Sequence, residues 1–315
     1  MNIENAPLHI KYRPISFEEM YGNKAVVSSL ENIFSDIRGG PHVLLLEGPQ
    51  GCGKTTLARI ICSKIEKTLL IELNAANTRG IDTIREIIDI SKGKPLGYEN
   101  TCYIMDETHQ LSKDAQNAFL KILEDTPNYI YFLLCTTDPQ KIIPTILNRC
   151  ARYRVSKLRD GEIRALVEDV GELEKIELTG EKINLIVRSA NGVPRSALII
   201  LDQIKGIDNI EEAGEIALDC IYEDEKEIIE ICRKMSKNLY KSWKDFVEDY
   251  RQLAIEPEPM RRIMLGYFSK CLLGAGEDEE RVRYASYCDF LIRANIYFFG
   301  EPALITALAG MFEFN

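Results

Sequence analysis

Gly48-Pro49-Gln50-Gly51-Cys52-Gly53-Lys54-Thr55 is the stretch on which the reading of this chain turns. It fits G-x-x-x-x-G-K-[ST], directly follows the apolar run His42–Glu47 (HVLLLE) and opens the helical pattern Lys54–Ile65. A strand, a glycine-rich turn and a helix in that order form the context a phosphate-binding loop requires. Glycines let backbone N–H groups curl around phosphate oxygens without Cβ clashes. The helix N-terminus adds the positive end of its dipole. The pattern therefore predicts a nucleotide cradled by Gly48, Gly51, Cys52, Gly53, Lys54, Thr55 and Thr56. Lys54 is expected to reach the β- and γ-phosphates and Thr55 to hold Mg²⁺.

Outward from the loop, further short apolar runs read as buried strands: Leu69–Leu73, Thr101–Met105 and Tyr129–Cys135. Helical patterns lie between them at Val26–Ile37, Ile81–Ile90 and Lys113–Leu123. Strand and helix in alternation predict an α/β domain, a parallel sheet with helices on both faces. After residue 157 the strand signal stops. Asp160–Val170, Thr179–Ala190 and Pro194–Ile204 read as amphipathic helices punctuated by Gly171, Gly180, Gly192 and Gly206. Longer helical stretches follow, with breaks near Ile255–Pro259, Gly274–Asp278 and Gly300–Pro302. Three parts are expected: an α/β nucleotide-binding domain over 1–157, a small helical domain over 158–220 and an all-helical domain over 221–315.

Composition narrows the function classes. The chain has 315 residues, 45% hydrophobic and 28% charged, an ordinary globular balance. No apolar run reaches the ~18 residues needed to span a bilayer, so no membrane partner is expected. Met1–Arg13 lacks the apolar core of a secretory signal, so the expected location is the cytoplasm, the nucleus for a eukaryotic protein or the host cytoplasm for a phage protein. None of the nine cysteines forms a C-x-x-C pair, which argues against a zinc or thioredoxin-like motif. The net charge is −10, yet residues 1–155 carry 18 basic and 18 acidic side chains, so the whole excess lies beyond them. If a polyanion is bound, the neutral N-terminal half is the expected surface.

Four more motifs carry candidate chemistry. Tyr103-Ile-Met-Asp106-Glu107 ends an apolar strand in two acids, the Walker B arrangement: Asp106 for Mg²⁺ and Glu107 to orient or deprotonate a water. Thr136-Thr137-Asp138 follows the fourth apolar run; Thr137 reads either as a γ-phosphate or water contact or as part of a Thr–Asp turn or cap. Asn148-Arg149-Cys150 ends a helical pattern at Lys141–Leu147; Arg149 reads either as a transition-state cation or as a surface salt bridge. Gly192-Val-Pro-Arg195 starts a helix; Arg195 reads either as a phosphate sensor or as an exposed first-turn arginine, although a cation there opposes the helix dipole.

In series these motifs resemble the AAA+ ATPases of the DNA polymerase clamp-loader group: small subunits of replication factor C, the bacterial gamma/tau subunit and their phage equivalents. Lys11-Tyr-Arg-Pro14 with Phe17 is similar to the group's N-terminal signature. Glu72-Leu-Asn-Ala-Ala-Asn-Thr-Arg-Gly-Ile-Asp82 and Asp106-Glu-Thr-His-Gln-Leu-Ser112 through Leu120-Lys-Ile-Leu-Glu124 resemble two further segments. Thr136-Thr-Asp-Pro-Gln-Lys141 through Asn148-Arg-Cys150 resembles another. The resemblance implies that Tyr12, Arg13 and Pro14 lie beside adenine. It also implies that Thr137 is sensor 1, Arg195 is sensor 2 and Arg149 acts in trans on ATP held by a neighbouring subunit. It makes 158–220 a lid and 221–315 a collar. The implied partners are other loader subunits in a pentamer of one or several kinds, a sliding clamp and primer–template DNA. Arg79, Gly80, Lys113 and Lys121 are the expected DNA contacts, and Ile87–Gly97 the expected clamp contact. Asn148 departs from the group's serine, and no four-cysteine zinc module stands between the loop and Glu72.

Two other functions fit part of this pattern. A Holliday-junction branch-migration ATPase shares the loop and the Asp106-Glu-Thr-His109 run, but its basic winged-helix end is not matched by the acidic helical region here. A scaffold subunit with a dead ATP site is opposed by intact Lys54, Asp106 and Glu107. A DEAH-type helicase lacks support because its later arginine-rich motif is absent.

Overall fold

In the computed structural model the described residues are 6–35, 40–77, 80–91, 93–221, 226–240, 242–252, 257–294 and 301–313. The chain divides into two compact units, Met1–Cys220 and Ile221–Asn315. The first is built on a five-stranded sheet of β1 (Val43–Glu47), β2 (Thr68–Asn74), β3 (Asn100–Asp106), β4 (Ile130–Thr136) and β5 (Ala151–Arg154), in the order β2-β3-β4-β1-β5. Every pairing is parallel.

Both faces of the sheet are buried, so the inner strands read as continuous apolar runs. Alternate residues still separate by face. Leu44, Leu46, Cys102, Ile104, Leu133 and Cys135 pack in one core with helices α2 (Lys24–Ser35) and α3 (Lys54–Lys64). Val43, Leu45, Tyr103, Met105, Phe132 and Leu134 pack in the opposite core with α4 (Ile81–Ile90) and α5 (Lys113–Glu124). Phe132 stacks on Tyr103 at 5.3 Å and meets Phe119 of α5 edge-on at 5.1 Å. Truncating one such fully buried aromatic costs about 3–5 kcal/mol.

A short helix, Leu8–Lys11, precedes α2, and a second, Pro144–Leu147, follows β4. The pattern over Lys141–Leu147 predicts one helix, but Pro144 lacks the N–H an interior position needs and opens its own turn after a 3₁₀ turn at Pro139–Lys141. Strand β5 is the other departure. Ala-Arg-Tyr-Arg alternates half-buried and exposed residues at the sheet edge, so it carries no apolar run.

Beyond β5 the unit continues as α6 (Asp160–Glu174), α7 (Gly180–Ala190), α8 (Pro194–Ile204) and α9 (Ile210–Ile221). The expected break at Gly171 is absent. Gly171 is buried inside α6, where a Cβ would lie 2.4 Å from Leu178 Cδ1, so it serves close packing. Thr179 caps α7 by accepting the Lys182 N–H.

The second unit is helical in its described residues: α10 (Lys226–Ser236), α11 (Trp243–Gln252), α12 (Pro257–Gly274), α13 (Asp278–Arg293) and α14 (Glu301–Glu313). Its core gathers Phe246, Met264, Phe268, Tyr287 and Leu308. Among the described residues no helix is long and apolar enough to cross a membrane.

Candidate nucleotide site

The carboxyl ends of β1, β3 and β4 lie side by side, because the register sets Glu47 against Thr136 and Met105 against Leu134. The loop after β1 and the acids closing β3 therefore converge at one edge of the sheet. A cavity of about 490 Å³ opens there. Tyr12, Arg13 and Pro14, the loop residues Gly51–Thr56, Asp106, Glu107 and Arg195 all line it. Residues separated by more than 180 positions meet in one space.

The loop owes its shape to its glycines. Gly48 has φ +153° and a Cβ there would sit 2.0 Å from the Val155 carbonyl oxygen. Gly51 has φ +70°, and its Cβ would come within 2.7 Å of Val193 Cγ1, just ahead of α8. The loop can thus touch the start of α8 only without a side chain at 51. Gly48 does not line the cavity itself; its carbonyl and that of Pro49 each accept the Lys54 ammonium at 2.9 Å. Cys52 is 2% exposed, and burial pushes its thiol up, so it packs rather than reacts.

Thr55 Oγ1 donates to Asp106 Oδ2 at 2.9 Å, while Asp106 Oδ1 accepts the Glu107 N–H at 3.0 Å. A hydroxyl and a carboxylate so placed are hard oxygen donors, and they fit magnesium better than a softer metal. Arg13 Nε donates to Thr56 Oγ1 at 2.9 Å. Burial, then the Arg59 and Arg195 guanidiniums, push Arg13 below the usual arginine value. Cations crowded in a recess attract a polyanion.

Thr137 stands outside the cavity lining but donates its hydroxyl to Glu107 Oε2 at 3.2 Å. The turn beside it has its own cap, since Asp138 Oδ1 accepts the Gln140 N–H. Arg195 is an exposed first-turn residue of α8 and also lines the cavity, so both of its readings describe its place. Arg149 is not brought to the cavity. Its guanidinium donates to Glu124 Oε1 at 2.5 Å and to the Thr145 carbonyl at 2.9 Å. Gly80 is exposed at the N-terminus of α4; Lys113 and Lys121 are exposed on α5. Lys121 shares a groove with Ile81 and Arg85, of which Lys113 is not part. Arg79 lies outside the described residues.

Several cavity residues were not among the expected site residues. His9, Tyr21, Asn74, Leu166 and Leu198 line it as well. Asn74 had a legible signal: it ends β2 within the Glu72–Asp82 segment and stands in register with Asp106. His9 and Leu198 meet there only through packing of the N-terminal helix on α8.

A five-stranded parallel sheet in this order, with helices on both faces and further helices after it, is an AAA+ fold. The solved structure of the Thermotoga maritima RuvB Holliday junction branch migration motor superposes with a TM-score of 0.56 over 80% of this chain and 85% of that one. At 19% identity that likeness is one of fold. A family profile described as DNA polymerase III, delta subunit, matches residues 61–159. DNA polymerase III subunit gamma of Buchnera aphidicola is 31% identical over 266 residues, 72% of this chain and 73% of that protein. Subunit gamma/tau of Mycobacterium tuberculosis is 32% identical over 222 residues, and this chain covers 38% of its length. Escherichia coli subunit tau is 33% identical over 216 residues, 33% of its length. The chain belongs to the DNA polymerase III gamma subunit family.

Proposed function

We propose that this chain is an ATP-hydrolysing subunit of a clamp loader, which opens a sliding clamp and places it on primer–template DNA. The observation that carries the reading is the single cavity joining Arg13, the Lys54 loop, the Asp106–Glu107 pair and Arg195. Membership of the gamma family supports it over a branch-migration motor, whose likeness here is of fold alone.

Tyr12, Arg13 and Pro14 flank the base. The loop N–H groups and Lys54 hold the phosphates, and Thr55 with Asp106 holds Mg²⁺. Bound there, the ion neutralises charge developing on the β- and γ-phosphates. Glu107 orients and deprotonates the attacking water, with Thr137 fixing its carboxylate as sensor 1. Arg195 reports the γ-phosphate to the lid. Arg149 serves the ATP of an adjacent subunit, for which it must exchange Glu124 for phosphate. An exposed ion pair is worth about 0–1 kcal/mol, so the exchange has a low barrier in energy. A pentamer of one or several kinds of subunit gives each site its neighbour. Gly80, Lys113 and Lys121, with Arg79, contact the DNA backbone, which suffices for sequence-independent loading. Ile87–Gly97, where Ile90 and Leu96 are exposed, meets the clamp.

The test is steady-state ATPase of the assembled loader with primed duplex, with the cognate clamp, and with four-way junctions. Hydrolysis is expected to rise with primed DNA and again with clamp. Stimulation by junctions alone would replace this reading with the branch-migration motor.

A further inference from the structure

One carboxylate at the site is held by more groups than the motifs account for. Glu107 Oε2 accepts the Thr137 hydroxyl at 3.2 Å and also lies 3.3 Å from His109 Nδ1. That same ring nitrogen is 3.1 Å from Thr136 Oγ1, a fully buried hydroxyl that accepts the Asp138 N–H. On the far side of the ring, His109 Nε2 is 3.1 Å from Gln110 Nε2.

These partners select one tautomer. An amide nitrogen only donates, so Nε2 accepts and the ring proton sits on Nδ1. The carboxylate end makes the same demand, because a bare Nδ1 lone pair facing Glu107 would repel it. Only 7% of the His109 side chain is exposed. Burial pushes the imidazole below the usual histidine range. Lys141 and Lys54 act in the same direction, while Glu107 and Asp138 pull the other way. That direction favours the neutral ring.

We propose that His109 is a positioning residue for Glu107. Its Nδ1–H and the Thr137 hydroxyl hold one carboxylate oxygen, which leaves the other to orient water, and Gln110 fixes the tautomer. The inference deepens the ATPase reading and rests on it. Glu107 needs such a hold. Its backbone is left-handed, with φ +51°, and a short 3₁₀ turn follows it, so its direction is not set by regular structure. A base displaced by about 1 Å loses on the order of 100-fold in rate.

The chain has only three histidines, at 9, 42 and 109, which makes the tautomer measurable. In full-length protein labelled with ¹⁵N-histidine, the ring whose signals vanish in His109→Asn is His109. It is expected as the Nδ1–H form at pH 7.5. The Nε2–H form would overturn the proposal. In the assembled loader, His109→Ala is expected to lower kcat by about 10- to 100-fold with KM changed less than about twofold. His109→Asn, whose amide N–H replaces Nδ1–H, should recover most of that loss. Unchanged kcat in His109→Ala, or equal loss in both variants, would overturn it. A wild-type assembly that hydrolyses no ATP would instead overturn the ATPase reading, and the tautomer measurement would still decide where the ring proton lies.

Discussion

Lys54 shows how much chemistry one buried charge can carry. It is 5% exposed, and its ammonium is held at 2.9 Å by two carbonyl oxygens of its own loop. Burying an ammonium is tolerated only where such partners satisfy it. The same carbonyls hold it where phosphate oxygens are expected, so it can pass from one set of acceptors to the other without moving far. Lys54→Ala is therefore expected to abolish ATP hydrolysis and weaken ATP binding at least about 10-fold, the loss of a charge-assisted hydrogen bond. Nucleotide titration and phosphate release measure the two effects. Turnover at the wild-type level would remove the site assignment.

At the scale of elements, the loop, the start of α8 and the N-terminal segment meet through close approaches. Gly51→Ala adds a Cβ at φ +70° and sets it 2.7 Å from Val193. The left-handed backbone alone costs about 1–2 kcal/mol. A lower melting temperature is expected, together with weaker ATP binding, because the strain falls on the loop and the start of α8 together. Tyr21 ties the N-terminal segment to α6 through its hydroxyl, which donates to Asp169 Oδ2 at 2.5 Å. Burial, then that bond, push the Tyr21 phenol up to about 12. A raised folded value means the folded state keeps its proton while the unfolded chain loses it. The contribution is therefore complete below about pH 10 and is lost as pH climbs to about 12. Thermal unfolding from pH 8 to 12 should show Tyr21→Phe converging on wild type at the alkaline end. A constant gap across that range would exclude the tie as the cause.

At the scale of the molecule, the two units are folded cores of different kinds, one layered on a sheet and one helical. The proposed assembly places catalysis between chains, and Arg149 is where that is tested. It stands away from its own cavity, paired with Glu124. Arg149→Ala should bind ATP as wild type does yet lose DNA- and clamp-stimulated hydrolysis. Mixing Arg149→Ala with Lys54→Ala subunits should restore part of the turnover, since a site with intact Lys54 can then face an intact Arg149. Wild-type stimulation in Arg149→Ala alone, or no recovery on mixing, would place catalysis within one chain.

Local pattern alone was enough to read the phosphate loop, strands β1 to β4, and the helices Ile81–Ile90 and Pro194–Ile204, whose bounds the structure repeats. Those features depend on neighbours in the chain: glycine spacing, apolar runs and a proline at a helix start. Strand β5 was hidden because Ala-Arg-Tyr-Arg half-buries only every second residue and shows no apolar run, and Gly171 misled because a packing glycine looks like a breaker. The tertiary structure alone decided which partner each polar side chain meets. His109 could be paired with Glu107, and Asn74 with Asp106, only after strands distant in sequence were set in register. Hydrogen bonds are lost within a few tenths of an ångström, and no periodicity in a chain encodes distances that fine.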